Sequence, residues 1–369
     1  MICFVVGISP TLITGASAAT TRSIAPLPVA FLFPALAVGE AARRLKASGV
    51  GSRRLKACAA GVWALFAVLV AATGFVSARD YFVHWGESPH VRAAHQHTLV
   101  EAARYLDARP EGSLAAISTI YPLAPHDPYV FEMSLVRRDR AAGSRQSLAL
   151  RWFDGRRALL IPAETAARLI APSSASLDPY FADLPGLHLR ERVMMRPDDL
   201  DPFFVVYDWR PQETLTALRE RVSHRPSDPA LPADFGPSTG SGQGGVLQLI
   251  GYDLHTPIVP AGGLVELLTL WQVTGPPPGE LVLFTHALDA EGGIAGQEDR
   301  LDAPSWNWQA GDIIAQFHRF TLSPGLASGT LVLEVGVYTR ADLVRLPVIV
   351  DIAAIGDRVL LSPVEVIPQ

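Results

Sequence analysis

Three histidines, His90, His95 and His97, fall close together and raise the question of a metal site. On one helix His90 and His97 would share a face, but His95 and His97 would stand about 200° apart, so three ligands do not converge. Solvated histidines on a helix surface account for them better. The run Asp198-Asp199-Leu200-Asp201 offers three carboxylates, yet it lacks the spacing and the glycine of a calcium loop and reads as a solvated turn. Hydrolysis of the Ser/His/Asp kind needs a serine on a sharp strand-to-helix elbow; Gly-x-Ser-x-Gly occurs once, as Gly236-Pro237-Ser238-Thr239-Gly240, but in a stretch of linker composition followed by a strand rather than a helix. His126-Asp127 precedes Pro128 in an expected loop with no partner identifiable from sequence. Asp289 before Glu291-Gly292-Gly293 reads as hairpin-turn chemistry. Gly240-x-Gly242-x-x-Gly245 spells a dinucleotide fingerprint, but no strand precedes it and a strand rather than a helix follows. No catalytic, cofactor-binding or metal-ligating residue is assigned, and no cofactor is expected.

The tryptophans raise carbohydrate chemistry instead. Aromatic faces match the C–H groups of a sugar ring while polar neighbours take its hydroxyls. Trp271 sits mid-strand in an alternating pattern and reads as core. Trp306 and Trp308 flank Asn307 in a loop before a strand, which makes them the candidate glycan-stacking residues.

The elements that must carry these residues fall into distinct regions. From Val246 onward the pattern is β throughout, with strands expected at 246–253, 264–273, 281–289, 312–322, 330–338, 345–351 and 358–366. Turn signals such as Pro276-Pro-Pro-Gly and Pro324-Gly325 separate them, so 246–369 is expected to be an antiparallel β-sandwich. Before it, His224 to Gly245 is Pro-rich and then Gly/Ser-rich, the composition of a linker. Residues 80–223 read as a small α/β region. An amphipathic helix is expected over His90–Leu106, and short apolar runs at Leu114–Ile120, Ala158–Ile161 and Phe203–Tyr207 alternate with helical stretches at Glu164–Ile170 and Gln212–Val222.

The first part of the chain is different again. Ala57 to Ala78 carries no charge over 22 residues, about 33 Å of helix, enough to cross a bilayer core. Ser23 to Gly39 is a second uncharged run, interrupted by Pro26, Pro28 and Pro34, whose freed carbonyls need neighbouring helices. Met1 to Thr21 is also uncharged. Its Ala16-Ser17-Ala18 resembles a signal-peptidase site, but no basic n-region precedes it, and a span is the better reading. Transmembrane helices are therefore expected at about 1–21, 23–39 and 57–78, with a basic loop at 40–56.

Charge supplies the orientation. Six basic residues lie between Arg43 and Lys56, including both lysines of the chain, and the positive-inside rule places that loop in the cytoplasm. Residues 79–369 then lie outside the cytoplasm, beyond an inner (plasma) membrane. Residues 1–56 sum to +6 while the whole chain stands at −5, so the remaining body is acidic. That distribution fits a membrane partner and argues against nucleic acid. Mean hydropathy is +0.23, high for a purely soluble chain. The only cysteines, Cys3 and Cys58, both fall in apolar runs and build no disulfide framework.

Several motifs, in order, resemble the C-terminal part of bacterial family-39-like (protein mannosyltransferase-like, GT-C type) membrane glycosyltransferases. The first is Arg22 ahead of Pro28 at the entry to a span, and Arg151-Trp152-Phe153-Asp154-Gly155-Arg156 follows. Next come Gly251-Tyr252-Asp253-Leu254, Leu268-Thr269-Leu270-Trp271-Gln272 and Phe284-Thr285-His286-Ala287-Leu288-Asp289. The series closes on Gly296-Gln297-Glu298-Asp299, Trp308-Gln309-Ala310-Gly311-Asp312, Val335-Gly336-Val337-Tyr338 and Arg345-Leu346-Pro347. The resemblance implies sugar transfer from a lipid-phosphate donor, with acidic residues of a first extracytoplasmic loop doing the chemistry. No residue here matches that acidic motif. The chain is thus expected to be the C-terminal, non-catalytic portion of such an enzyme, partnered by an upstream transmembrane region and by lipid-linked sugar or glycan. The alternative is a membrane-tethered extracytoplasmic module that binds glycan or another envelope component without enzymatic activity.

Overall fold

The computed structural model describes residues 36–37, 39–41, 43–44, 47, 52–109, 112–122, 126–135, 148–222, 232–236, 245–350 and 353–368. The expected span at 1–21, and all of the one at 23–39 except residues 36, 37 and 39, lie outside them. The chain divides into two compact units, the first ending at Ser88 and the second beginning at Pro89.

In the first unit, helix α1 (Ser52–Arg79) runs into a π-helical turn, Asp80–Trp85. The run is rich in Ala, Leu and other residues that tolerate helix, and it holds no proline before Pro89. Ala60–Trp85 is long and apolar enough to cross a membrane by length and composition, and none of it is buried. Trp63, Leu65, Val68 and Phe75 are all exposed, so the helix is apolar all round. The expected basic loop is partly helical: Glu40 pairs with Arg43 and Arg44 at helical spacing, and α1 already begins at Ser52.

The second unit is rich in β-sheet. It opens with α2 (Pro89–Ala94) and α3 (His97–Ala108), which the sequence pattern joins into one helix. They are separate because Gln96 takes a left-handed φ of 51° and breaks the run. Next come β1 (Leu114–Ser118), α4 (His126–Ser134), β2 (Ala149–Phe153), β3 (Ala158–Ile161) and β4 (Ala167–Pro172). The region continues with a one-turn helix α5 (Pro179–Ala182), β5 (Leu187–Met194), β6 (Phe203–Trp209) and α6 (Pro211–Arg221). Two expectations fail here. His126 begins a helix rather than a loop, with Pro128 tolerated in its first turn. Glu164–Ile170 is not helical; its apolar end belongs to β4, which is hydrogen-bonded between β1 and β6. A short apolar run buried on both faces carries no period that separates strand from helix.

The first sheet has the order β2-β1-β4-β6-β5, with β1 parallel to both β2 and β4, and the β4–β6 and β5–β6 pairs antiparallel. Helices α3 and α4 cover one face through Leu99, Ala103, Leu106 and Phe131, packed on Ile117, Trp152 and Phe204.

The remaining strands make two sheets around one hydrophobic core, a sandwich-like pair. They are β7 (Ala233–Phe235), β8 (Leu247–Leu254), β9 (Ile258–Pro260), β10 (Leu264–Val273), β11 (Leu281–Leu288), β12 (Ile294–Asp299) and β13 (Ile313–Thr321). β14 (Gly329–Thr339), β15 (Val348–Val350), β16 (Ala353–Gly356), β17 (Val359–Leu360) and β18 (Val364–Ile367) complete them. One sheet runs β16-β15-β7-β8-β10-β13-β3 and the other β12-β11-β14-β18-β9, with β17 on β14. Two members come from outside the stretch expected to form the sandwich. β7 lies inside the expected linker and pairs with β8 and β15. β3 belongs to the α/β stretch and closes the sheet edge, Ile161 opposite Ile313 and Ala158 opposite Gln316. The chain leaves the first sheet after β2, adds one strand to the second, and returns as β4.

Candidate functional site

The Arg151–Arg156 motif spans the end of β2 and the start of the turn to β3, and it faces the loop that carries the candidate tryptophans. Arg151 donates from Nε to Asp312 Oδ2 at 2.7 Å and from Nη2 to Oδ1 at 3.4 Å. Asp312 is fully buried and also accepts from the backbone N–H groups of Gln309 and Ala163. Asn307 clasps the backbone of Trp152, accepting from its N–H at 2.9 Å and donating to its carbonyl at 3.4 Å. Asp154 donates its N–H to the carbonyl of Asp302 and accepts two hydrogen bonds from the Arg156 guanidinium. Gly155 must be glycine: a Cβ there would lie 2.7 Å from both Leu177 Cδ2 and Ser118 Oγ. Thus the Arg151–Arg156 and Trp308–Asp312 motifs are the two sides of one seam.

That seam decides the tryptophans. Trp308 is buried and donates its indole N–H to the carbonyl of Ala303, so its ring faces cannot receive a sugar; the expectation for Trp308 is corrected. Trp271 is wholly buried, its indole donating to Thr269 Oγ1. Trp306 stays 53% exposed and lines a cavity of about 350 Å³ with Glu132, Leu135, Arg151, Asn307 and Gln309.

A second cavity, about 220 Å³, lies at the carboxyl ends of β1 and β4. Thr119 and Tyr121 follow β1, Pro172 ends β4 and Ser174 follows it, and α2, α3 and α4 supply Arg92, His97, Thr98 and Asp127. Asp199 and Asp201 enter from the loop between β5 and β6, a turn whose Asp198 and Leu200 stay exposed to solvent as expected while Asp199 and Asp201 line the crevice. Arg92 donates from Nε to Asp199 and its Nη2 makes an ion pair with Asp198 at 2.9 Å, and the guanidinium holds the Asp198 carboxyl below the usual carboxylate range. Asp127 is buried and accepts from Thr119 Oγ1 and Gln96 Nε2. Asp201 Oδ1 accepts from the Ser173 hydroxyl at 3.0 Å and from Ser174 N–H at 2.6 Å.

Sequence reasoning met Asp127, Asp199 and Asp201 without seeing that they converge, and it passed over Arg92, Thr98 and Thr119. The legible signal was a parallel β–α–β unit, because ligand crevices open at the carboxyl ends of such strands. His97 reaches this crevice, whereas the break at Gln96 sets His90 and His95 on a separate helix and its end. Among the described residues no group of His, Cys, Asp or Glu is placed to hold a metal ion.

No protein-family model matches the chain, and no curated protein does. Solved structures match over part of it. The C-terminal domain of wzt is 12% identical with a TM-score of 0.26, covering 41% of this chain and 84% of that one. A β-glucuronidase from glycoside hydrolase family 2 is 7% identical with a TM-score of 0.22, over 41% of this chain and 14% of that one. The CARDB domain of a Pyrococcus furiosus protein is 9% identical with a TM-score of 0.21, over 32% of this chain and 90% of that one. Likenesses at these scores carry no argument about chemistry.

Proposed function

We propose that this chain is the membrane-anchored, C-terminal, non-catalytic portion of a GT-C-type glycosyltransferase that takes sugar from a lipid-phosphate donor. Its α/β and sandwich-like body lies outside the cytoplasm. The observation that carries the reading is the helix Ala60–Trp85, apolar on every side and unburied, with a basic stretch before it. Tyr81, Phe82 and Trp85 at its far end are exposed, as aromatic anchors in a headgroup layer would be. The order of motifs shared with family-39-like enzymes supplies the reaction class. In the seam the carboxylates of Asp154 and Asp312 are engaged by arginines, which suits a scaffold rather than a reacting centre.

Reporter fusions test the topology. Alkaline phosphatase fused after Gln369 should be active and the same reporter fused after Lys46 inactive; the reverse pattern refutes the reading. Transfer from a polyprenyl-phosphate sugar should be undetectable with this chain alone and should appear when it is joined to a catalytic multi-span region of the family. Transfer by the chain alone would show that it carries catalytic residues.

Trp306 favours a second reading, a tethered glycan-binding module without enzymatic activity. Its exposed ring beside Glu132, Asn307 and Gln309 offers an aromatic face with polar neighbours. Retention of the full chain on envelope glycans, lost with Trp306→Ala, would support it; equal retention would remove it.

A further inference from the structure

We infer that one end of the sandwich-like pair of sheets dips into a lipid surface, with Leu343 and Val344 as the residues that enter it. Three loops make that end: 274–280 between β10 and β11, 300–312 between β12 and β13, and 340–347 between β14 and β15. They are tied together. The Arg340 N–H donates to the carbonyl of Glu280 at 2.8 Å. Ser305 Oγ donates to the carbonyl of Gly279 at 3.0 Å and accepts from the Leu281 N–H at 3.1 Å.

Leu343 is the residue that needs explaining. Its φ is 58°, and among the described residues Gln96 is the other non-glycine side chain in that left-handed region. A leucine there crowds its own backbone, at a cost that glycine avoids and asparagine tolerates. Packing gives nothing back, since the side chain is 70% exposed and Val344 beside it is 55% exposed. Strain and exposure at one bulky apolar residue point to a contact made outside the fold. The turn also holds the residue out. Leu343 N–H donates to the Thr339 carbonyl at 2.9 Å, and Thr339 N–H donates to that of Val344 at 3.0 Å. Asp342 accepts from the Thr339 hydroxyl and from the Val344 N–H.

Area, charge and chemistry select a bilayer as the partner. Leu343, Val344 and the half-exposed Trp306 on the middle loop offer two aliphatic side chains and one ring. That is far short of the roughly 800 Å² per partner of a stable protein interface. A tethered body needs less, because an anchor in the same membrane makes the contact intramolecular. To that extent the inference rests on reading Ala60–Trp85 as a span. The tip offers nothing to an ionic partner: Arg340 pairs with Glu280 at 2.7 Å, Arg345 with Asp357 at 3.3 Å, and Asp342 is engaged within its turn. An aliphatic tip with an aromatic ring behind it matches the acyl boundary and the headgroup layer above it.

The test uses the full chain reconstituted into phosphatidylcholine vesicles. Cys3→Ser and Cys58→Ser remove the native thiols, and an environment-sensitive NBD label is placed on Ala341→Cys at the tip or on Ala327→Cys. Both alanines are exposed, and Ala327 lies in the loop between β13 and β14 at the opposite end of the sheets. Lipid carrying a doxyl quencher should quench the 341 label and spare the 327 label. Adding Leu343→Asn and Val344→Ser should cut quenching at 341 about twofold or more, since little apolar surface is left to enter the lipid. The same variant should melt no lower than the parent, because asparagine suits the left-handed turn. No quenching at 341, equal quenching at 327, or quenching that survives the double substitution overturns the inference. A 341 label shielded as fully in detergent as in vesicles also overturns it, in favour of a second copy of the chain. Flotation with the vesicles reads the anchor by itself. A chain that floats without quenching at 341 removes this inference alone, whereas one that does not float removes the anchor and this inference with it. Leu343→Asn leaves Trp306 and its cavity as they are, so glycan retention is decided separately.

Discussion

Two arginines, Arg92 and Arg151, are both nearly buried and both paired with aspartate, yet they do different work. Arg151 meets Asp312, a carboxylate with no exposure whose two oxygens are shared among the guanidinium and two backbone N–H groups. Arg92 meets Asp199 in the wall of an open crevice and Asp198, whose side chain is 59% exposed. The first pair closes a seam between sheets; the second holds in place one wall of a crevice that stays open. A buried ion pair is therefore read by what its partners have left over.

If the seam is structural, the largest effect comes from removing it altogether. Residues 246–369 expressed alone would lose β3 from the edge of β13 and β7 from β8, exposing the unpaired edge Ile313–Gln316. That fragment should aggregate or fail to show a cooperative melt, whereas residues 89–369 should be soluble and melt cooperatively. Equal behaviour by size-exclusion chromatography and calorimetry would mean that the added strands are ornamental.

Next comes the pair itself. Asp312→Ala strands a buried guanidinium and should cost about 3–5 kcal/mol in chemical denaturation. Arg151→Met combined with Asp312→Leu should recover much of that loss, since well-packed apolar groups often replace a buried pair without cost. A single variant costing under about 1 kcal/mol would put this pair with weak surface bridges.

A proton gives a third contrast. His318 lies in the sandwich-like core, wholly buried, with Nε2 2.9 Å from Thr269 Oγ1, and burial pushes its pKa down to about 3. The unfolded chain binds a proton near pH 6.5, whereas the folded chain resists it to about pH 3. Its contribution to stability is thus fully present above about pH 6.5 and falls by roughly 1.4 kcal/mol per pH unit as the pH drops towards 3. Melts of the full chain between pH 7 and pH 4.5 should show this slope and His318→Leu should flatten it. A parallel slope in the variant would assign the acid sensitivity to other groups.

How much of this was legible follows from where the signal resides. β10 was expected at 264–273 and is found at Leu264–Val273, because a mostly apolar run bounded by turn residues is local information. β3 was recognised as an apolar run at Ala158–Ile161, but nothing in four residues says which sheet they join. β7 was hidden by the prolines and glycines around it, and β4 by a burial pattern that fits helix equally well. The crevice was less legible still. Arg92 and Asp199 stand 107 positions apart, and the sequence shows them only as a basic residue on a helix and an acid in a turn. Trp308 was chosen for its loop position, and the hydrogen bond that buries its indole depends on how that loop folds over Ala303.

The smallest expected effect is the most discriminating. Asp201→Asn keeps Oδ1, the atom that accepts from Ser173 and Ser174, and Thr98→Val keeps the branched shape of a side chain in the crevice wall. Each should change stability by no more than about 0.5 kcal/mol, the ordinary range for positions whose contacts survive. Chemical denaturation of the two variants beside Asp312→Ala measures the difference between wall and seam directly. If either crevice variant cost as much as Asp312→Ala, its polar group would be holding the fold together, and the crevice would be a second seam.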